Sequence, residues 1–378
     1  MPATLPGSPM TAPAPRSNIA DLHAYTPGEQ PTWADTAHPT RPTIKLNTNE
    51  NPYPPAPAVL DAIAALPAEA LRLYPPPASD CFRQAAGDAH GLSPGHILAT
   101  NGGDELLRML ITCYCDVGET TGGIGTTDPT YSLYPVLAET HGTTVTPVPR
   151  NPIDFAPPSA EQLADTWNNA GCNLAFFVNP HAPSGRLENL DYLEALAESF
   201  QGLLVIDEAY VDFALRDAVP MVQQRDDVIL LRSLSKGYSL AGLRFGYGIA
   251  DPSIIATLDK ARDSYNLDIL AQVAATAAIE HRDHARGSWQ VVVEQRAVLS
   301  QAFRQRGFSV LDSHTNFLLA QTSANHPDAE AIYLGLKQRD ILIRYFKTAN
   351  LADRLRVTVG TPEQNQQLLA GLDAILTS

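Results

Sequence analysis

A lysine between small hydroxyl residues and an arginine is the part of this sequence with the most evident chemistry. Ser233, Ser235 and Lys236 follow an apolar run at 228–231, so the lysine is predicted to lie just beyond a buried strand. Arg244 stands eight residues after the lysine. Hydroxyls and an arginine suit a phosphate group, and a lysine beside a phosphate suits a Schiff base with pyridoxal phosphate. The same residues could instead form a surface turn in which the arginine pairs with an acid.

A second candidate group follows another apolar run, at 203–206. Asp207 ends this run, and a buried carboxylate is costly unless a cation faces it. The protonated nitrogen of a pyridine ring is such a cation. Tyr210, three residues later, could reach the hydroxyl oxygen of the same ring. The residues alone leave open whether Asp207 is a helix cap or surface acid and Tyr210 an ordinary packed tyrosine.

Three further patterns suit a flat, anionic ligand. The stretch 101–105 places two glycines before a helix, where free N–H groups and the helix dipole can hold a phosphate. Tyr131 could lie over a ring, and Arg344 and Arg356 stand within apolar strand patterns. Arginine grips carboxylate and phosphate groups bidentately. Alternatively, the glycines form a plain turn, Tyr131 is an ordinary core residue, and the two arginines face the solvent.

Composition and charge narrow the classes of partner. The chain has 378 residues with 26 basic and 41 acidic side chains, a formal net charge of −15. Because such a field repels polyanions, we expect neither nucleic acid nor membrane as a partner. The four cysteines form no CxxC pair, so we expect reduced thiols and no metal site. The N-terminus lacks a secretory signal pattern, and we expect a cytoplasmic protein.

The alternation of apolar strands and amphipathic helices predicts the fold class. We expect an α/β protein with a large domain, whose mostly parallel sheet is covered by helices, and a smaller α+β C-terminal domain. The expected division is a tail and arm at 1–45, a large domain at 46–268 and a small domain at 269–378. One long helical stretch is expected at about 269–304. Ligands of such sheets bind beyond the carboxyl ends of the strands.

The ordered series of motifs resembles the fold-type I pyridoxal phosphate aminotransferases. Within them, the chain looks most similar to the histidinol-phosphate aminotransferase family, over roughly residues 44–365. The motifs are LNTNENP at 46–52, LYP at 73–75, NGGDE at 101–105, PTYSLY at 129–134, NPHAPSG at 179–185, DEAY at 207–210, SLSK at 233–236, AGLR at 241–244, NF at 316–317 and LRVTVG at 355–360.

The resemblance implies a role for each candidate residue. Lys236 would form the Schiff base, Asp207 would pair with the ring nitrogen and Tyr210 with the ring oxygen, and these three are the catalytic candidates. Further cofactor contacts are implied for Gly103, Asp104, Tyr131, Asn179, Ser233, Ser235, Arg244 and, from the neighbouring subunit of a homodimer with shared active sites, Tyr74. Substrate contacts are implied for Tyr25, Asn49, Arg344 and Arg356.

One motif departs from the family pattern. The asparagine that usually donates to the ring oxygen, just before the second proline of the 179–185 motif, is Ala182 in this chain. Asn179 lies three residues earlier, so its role is open. Tyr210 would then carry that hydrogen bond alone, or a water molecule would replace the amide.

The implied reaction is a transamination between a small-molecule amine and a 2-oxo acid. The resemblance favours histidinol phosphate, or its oxo form imidazole acetol phosphate, with glutamate and 2-oxoglutarate, a step of histidine biosynthesis. An aromatic amino-acid aminotransferase and a phosphothreonine decarboxylase on the same scaffold are alternatives. If Arg344 faces the substrate pocket with Tyr25, a phosphorylated substrate is favoured. A non-catalytic binding protein is the fourth possibility, and the intact lysine, aspartate and arginine count against it.

Overall fold

The computed structural model describes residues 14–25, 27–31, 43–118, 122–214 and 216–377. Its strands are β1 (Ile44–Lys45), β2 (Ile97–Asn101), β3 (Ile124–Asp128), β4 (Val145–Pro149), β5 (Leu174–Val178), β6 (Leu203–Asp207), β7 (Val228–Ser233), β8 (Phe245–Ala250), β9 (Ser309–Val310), β10 (Phe317–Gln321), β11 (Ile341–Leu342), β12 (Arg344–Tyr345) and β13 (Arg354–Thr358).

The α-helices of the described residues are α1 (Ser17–Ala20), α2 (Pro57–Ala64), α3 (Ala68–Arg72), α4 (Asp80–His90), α5 (Gly102–Tyr114), α6 (Leu133–His141), α7 (Ala160–Asn169), α8 (Leu190–Ser199), α9 (Val219–Val222), α10 (Pro252–Asp259), α11 (Ile269–Glu280), α12 (Arg282–Gln305), α13 (Ala329–Lys337) and α14 (Pro362–Leu376). Short 3₁₀ turns occur at Pro94–His96, Val211–Phe213 and Ala241–Leu243.

A seven-stranded sheet forms the centre of the molecule, in the order β2-β8-β7-β6-β5-β3-β4. Strands β3 to β7 run parallel, and β8 is antiparallel to both of its neighbours. Every residue of β5 and β6 is buried, because helices cover both faces of the sheet. These continuous apolar strands are what the sequence predicts for a doubly covered parallel sheet.

A smaller antiparallel sheet, in the order β12-β13-β10-β9, lies in the C-terminal part of the chain. Together with the large sheet it confirms the expected fold class. Strand β1 pairs in parallel with β11, so Ile44 and Lys45 join the C-terminal part of the structure. Helix α14 closes the chain with a proline in its first turn and a capping box between Thr361 and Gln364.

The expected long helix at 269–304 is two helices in the structure. His281, with φ −106° and ψ 33°, leaves the helical region and separates α11 from α12. Alanines on α11, including Ala271, Ala274 and Ala278, pack into the core under the large sheet. We therefore propose that the large domain extends through α11 and ends near residue 281 rather than at 268.

None of the helices in the described part of the chain is long and apolar enough to cross a membrane.

Candidate active site

The polar candidates from the large sheet meet at one of its edges. Asp207 ends β6 and Ser233 ends the neighbouring parallel strand β7. Asn179 directly follows β5, and its N–H donates to the Asp207 carbonyl at 2.9 Å. Because the carboxyl ends of parallel strands lie at the same edge, residues distant in sequence converge there.

Lys236 lies in the turn after β7 and reaches this edge. Its Nζ donates to the carbonyl of Thr48 at 2.8 Å and lies 5.9 Å from the centre of the Tyr210 ring. Burial lowers the pKa of Lys236 to about 8, an effect that Glu50 opposes and that Arg356 reinforces. The amine is therefore neutral at lower pH than an exposed lysine would be, which suits attack on an aldehyde.

Asp207 is buried and accepts two hydrogen bonds from the protein. The hydroxyl of Tyr134 donates to Oδ2 at 2.5 Å, and the N–H of Ala209 donates to Oδ1 at 3.0 Å. Burial raises the pKa of Asp207, while these two donors lower it. The carboxylate forms no ion pair with any described residue, which fits the role of partner for a cationic ring nitrogen.

A set of hydroxyl, guanidinium and N–H groups surrounds the start of α5. Arg244 donates to Ser235 at 3.3 Å and pairs with Asp104 at 3.3 Å, and Ser233 Oγ accepts the N–H of Ser235 at 3.2 Å. The first N–H groups of α5, including that of Gly103, have no partner within the helix. These groups together fit a phosphate, and we call them the phosphate cradle.

Two glycines allow this close approach. Gly102 has φ +73°, and a Cβ there would lie 2.7 Å from Arg244 Nη2. A Cβ on Gly246 would lie 2.7 Å from the backbone of Gly102 and Gly103. Larger residues at either position would displace the arginine or the helix start.

Aromatic rings line the region between the phosphate cradle and Lys236. The Tyr131 hydroxyl donates to Asp104 at 3.4 Å, and its ring packs edge-on against those of Tyr134 and Tyr25, with centroids 5.6 and 6.0 Å away. Burial, together with Asp104, raises the pKa of Tyr131, so the phenol stays neutral. The structure thus brings Tyr25 and Tyr131 together, and their implied contacts with substrate and cofactor stay predictions.

The two candidate arginines are cross-strand neighbours in the small sheet, where Arg344 on β12 pairs with Arg356 on β13. Both guanidinium groups lie over the ring of Phe346, at 5.4 and 5.6 Å. Arg356 donates from Nη2 to the Asn47 carbonyl at 3.0 Å, whereas its buried Nε has no hydrogen-bond partner among the described residues. Burial, with Arg344 nearby, lowers the pKa of Arg356. Two adjacent guanidiniums and an unsatisfied donor fit an anionic ligand.

Asn49 and Asn179 are both committed to partners within the protein. The Asn49 amide donates to the Tyr210 hydroxyl at 3.0 Å. The Asn179 side chain bonds both backbone groups of Glu188, donating to its carbonyl at 3.2 Å and accepting its N–H at 2.8 Å. The cofactor contact of Asn179 therefore stays a prediction. Ala182 is buried and adds no donor.

Tyr74 is separate from this group. Its side chain is 80% exposed and stacks on Tyr265, with centroids 4.4 Å apart and an interplanar angle of 17°. Its implied role at a neighbouring subunit's site stays a prediction.

Two residues at this site, Tyr134 and Thr48, are not among those predicted from the sequence. Tyr134 belongs to the 129–134 motif and lies in the first turn of α6, three residues after Tyr131. This spacing could have indicated that Tyr134 faces the same strand ends. Thr48 accepts the hydrogen bond of Lys236 through its backbone carbonyl, and a backbone contact cannot be recognised from the type of residue.

The arrangement fits pyridoxal phosphate. It offers a buried carboxylate at Asp207 without an ion-pair partner among the described residues, a lysine of lowered pKa at Lys236, and a glycine-bounded cradle at Gly102. Within the described ranges, no group of three or more His, Cys, Asp or Glu side chains is placed to hold a metal ion.

Comparison with known proteins supports this assignment over the whole chain. The family model for aminotransferases of class I and II matches residues 41–372. A histidinol-phosphate aminotransferase from a Nostoc species is 42% identical, over 96% of this chain and 98% of that protein. One from Citrifermentans bemidjiense is 41% identical over 94% and 97%.

Among solved structures, the chain is similar to histidinol-phosphate aminotransferase from Sinorhizobium meliloti in complex with pyridoxal-5'-phosphate. The TM-score is 0.86 and the identity 26%, with 98% of this chain and 99% of that chain covered. The site geometry and the family match agree, and the chain belongs to the aminotransferases of class I and II, enzymes that depend on pyridoxal phosphate.

Proposed function

We propose that this aminotransferase transfers an amino group between histidinol phosphate and 2-oxoglutarate, giving imidazole acetol phosphate and glutamate, as a step of histidine biosynthesis in the cytoplasm. The observation that carries the proposal is the adjacent pair Arg344 and Arg356, with a buried donor on Arg356 that has no partner among the described residues. The relatives named as histidinol-phosphate aminotransferases, which are 41 and 42% identical over nearly the whole chain, support the same substrate.

Bound pyridoxal phosphate supplies an electron sink that stabilises negative charge on the substrate carbon. Asp207 would keep the ring nitrogen protonated, and Tyr210 would donate to the ring oxygen. The phosphate would be held by Ser233, Ser235, Arg244 and the N–H groups of Gly103 and Asp104. Tyr131 would lie against the ring.

Lys236 would hold the cofactor, and its amine would serve as the general acid–base for the substrate. Its pKa is lowered to about 8, which brings proton transfer by the amine closer to neutral pH than an exposed lysine allows. Because the first product would leave before the 2-oxo acid binds at the same site, the kinetics would be of the ping-pong type.

The arginine pair has to accept two kinds of anion. Glutamate carries a carboxylate on the reacting carbon, where histidinol phosphate carries a phosphorylated hydroxymethyl arm. Guanidinium groups bind both bidentately. Tyr25 packs against Tyr131 and lies near the Arg356 guanidinium. This placement beside the arginine pair favours a phosphorylated substrate over an aromatic amino acid.

We also propose a homodimer in which Tyr74 reaches the phosphate of the neighbouring subunit's cofactor. Several large apolar side chains around Tyr74 are exposed. Leu71 and Leu73 are 66 and 57% exposed, and Tyr265, which stacks on Tyr74, is 49% exposed. Exposed apolar side chains of this kind are typical of a protein–protein interface.

A substrate screen tests the proposed reaction. The purified protein, loaded with pyridoxal phosphate, is assayed with 2-oxoglutarate and, in turn, histidinol phosphate, phenylalanine, tyrosine and phosphothreonine. We expect histidinol phosphate to give the highest kcat/KM. A preference for an aromatic amino acid would reject the proposed substrate, and release of carbon dioxide from phosphothreonine would reject the reaction type.

A further inference from the structure

The hydroxyl of Tyr210 has a fixed donor in this protein. Nδ2 of Asn49 donates to it at 3.0 Å, while Oδ1 of the same amide accepts the Thr358 hydroxyl at 3.1 Å. The second contact sets the orientation of the amide, because the hydroxyl needs an acceptor and Tyr210 then faces the NH₂ group.

Asn49 itself is held on every polar atom. Its N–H donates to Thr358 Oγ1 at 3.1 Å, and its carbonyl accepts the amide of Asn316 at 2.8 Å. The residue is 1% exposed and has φ 59°, a left-handed conformation that asparagine tolerates better than most residues. Such complete pairing indicates a residue that positions another group.

A phenol has one proton to donate and lone pairs to accept with. Since Asn49 presents N–H to the Tyr210 oxygen, the proton of Tyr210 has to point to another acceptor. Residues 179–185 provide no competing amide, because Asn179 is bound to Glu188 and position 182 is alanine.

We propose that Asn49 is a positioning residue that turns the Tyr210 hydroxyl toward the ring oxygen of the cofactor and strengthens the hydrogen bond it donates there. The inference rests on the proposed role of Tyr210 at the ring oxygen. Hydrogen bonds in a chain polarise one another, so a donor behind Tyr210 makes it a better donor in front.

The link also joins the two sheets. Thr358 ends β13 and Asn316 directly precedes β10, both in the small sheet, whereas Tyr210 follows β6 of the large sheet. The position of the small sheet therefore determines the geometry of a hydroxyl at the large sheet's active edge.

The proposal has a spectroscopic consequence. A hydrogen bond to the ring oxygen stabilises its anionic form and thereby lowers the pKa of the nitrogen that joins the cofactor to Lys236. The visible absorbance of the bound cofactor reports that titration. The test leaves in place the other charged or titratable groups near Tyr210 in the described part of the chain, which are Arg356, Asp207, Lys236, Tyr25, Tyr131 and Tyr134.

The test compares Asn49→Gly with the wild-type holoenzyme in a pH titration of visible absorbance. Glycine keeps the positive φ without strain and removes the amide. Loss of the whole hydrogen bond in Tyr210→Phe should raise the midpoint by about 0.5–1 pH unit. We expect Asn49→Gly to raise the midpoint by a smaller amount, because Tyr210 remains and only its support is lost. Asn47→Ala, in the same loop, is the matched control, because the Asn47 amide donates to Glu29 rather than to Tyr210. It should leave the midpoint unchanged.

Tyr210→Phe separates positioning from a general disturbance of the loop. If Asn49 acts through Tyr210, adding Asn49→Gly to Tyr210→Phe shifts the midpoint no further. An unchanged midpoint in Asn49→Gly, or an equal further shift when Asn49→Gly is added to Tyr210→Phe, would overturn the proposal. Thr358→Val, which releases the amide, should shift the midpoint in the same direction. If Tyr210→Phe alone titrated like the wild type, the proposed role of Tyr210 would fail instead.

Discussion

The hydroxyl of Tyr134 lies 2.5 Å from Oδ2 of Asp207 and donates a hydrogen bond to it. Tyr134 is completely buried and its ring stacks on Phe176 of β5, with centroids 4.7 Å apart. A rigid aromatic side chain thus holds the carboxylate from the side of α6. Because a hydrogen bond to the charged form favours it, Tyr134 helps to keep Asp207 ionised despite its burial.

Tyr134→Phe tests this relationship. The variant loses one donor to a buried carboxylate, so the pKa of Asp207 rises further and its pairing with the ring nitrogen weakens. We expect the dissociation constant of pyridoxal phosphate to increase by about fivefold to tenfold, equivalent to about 1–1.5 kcal/mol. Tyr192→Phe is the control, since its hydroxyl donates to the Pro158 carbonyl away from the site. Equal cofactor affinity in both variants would contradict the role of Tyr134.

Lys236→Ala should abolish the covalent attachment of the cofactor. The variant retains the phosphate cradle and so should still bind pyridoxal phosphate, but its absorbance should be that of a free aldehyde. Turnover should fall by more than about 10⁴-fold, because nucleophile and proton carrier are lost together. Lys260→Ala removes an exposed lysine and should behave as wild type. Wild-type turnover in Lys236→Ala would refute the mechanism.

The pKa of Lys236 predicts how cofactor capture depends on pH. Burial lowers it from 10.5 to about 8, and only the neutral amine attacks an aldehyde. In cofactor-free protein, the rate of capture should rise about tenfold per pH unit below pH 8 and level off above it. Stopped-flow absorbance measures this rate. A profile that still rises at pH 10 would show an ordinary lysine.

The same shift has a consequence for stability. Between pH 8 and 10.5 the folded state has lost the Lys236 proton and the unfolded state has not, so the unfolded state binds more protons. The free energy of unfolding of the cofactor-free protein should therefore rise across this window relative to Lys236→Met, and the penalty of the buried cation is fully present below pH 8. Denaturant titrations at both ends of the window measure the difference.

Arg356→Lys should weaken the binding of anionic substrates. Lysine keeps the charge but loses the planar fork, so we expect kcat/KM for both histidinol phosphate and glutamate to fall by about 10- to 100-fold. Arg304→Lys, on the exposed face of α12, is the control. We propose that the phosphate cradle holds the cofactor's phosphate, so cofactor affinity should be unchanged in Arg356→Lys. If the variant lost affinity for the cofactor and not for the substrates, Arg356 would belong to the cofactor site instead.

Subunit mixing tests the role of Tyr74. If Tyr74 serves the partner's cofactor, a heterodimer of Tyr74→Ala and Lys236→Ala chains contains one site with both residues intact. Mixed and reassociated chains should therefore be more active than the two variants assayed separately. Activity equal to their average would show that Tyr74 acts within its own chain or not at all.

Much of the site follows from patterns that are local in the sequence. Asp207 directly follows a run of buried aliphatic residues, and Ser233 lies two residues after the end of another, so their place at the sheet edge could be predicted without knowing the fold. The hydrogen-bond partners of these residues could not be predicted in this way. Tyr134 reaches Asp207 from 73 positions away, and which tyrosine of the motif does so depends on how α6 packs on the sheet.

The role of Asn49 shows the same limit. The sequence places it in a family motif and predicts a substrate contact. Only the packed structure brings the small sheet's Thr358 within 3.1 Å of its amide and the large sheet's Tyr210 within 3.0 Å. The boundary between the two domains is a similar case. A local change of pattern predicts it near 268, whereas the packing of α11 by its alanine-rich face supports our proposed end near 281.

The sequence by itself determined the fold class and the cofactor, and it predicts the lysine that would bind the cofactor. Hydrophobic runs, glycines and strand-end polar residues act over a few positions, and their ordered series carries the family resemblance. The tertiary structure decided which hydrogen-bond partners orient those groups and which arginines lie side by side. Such contacts join residues separated by long stretches of chain, and their geometry depends on the packing of whole helices and sheets.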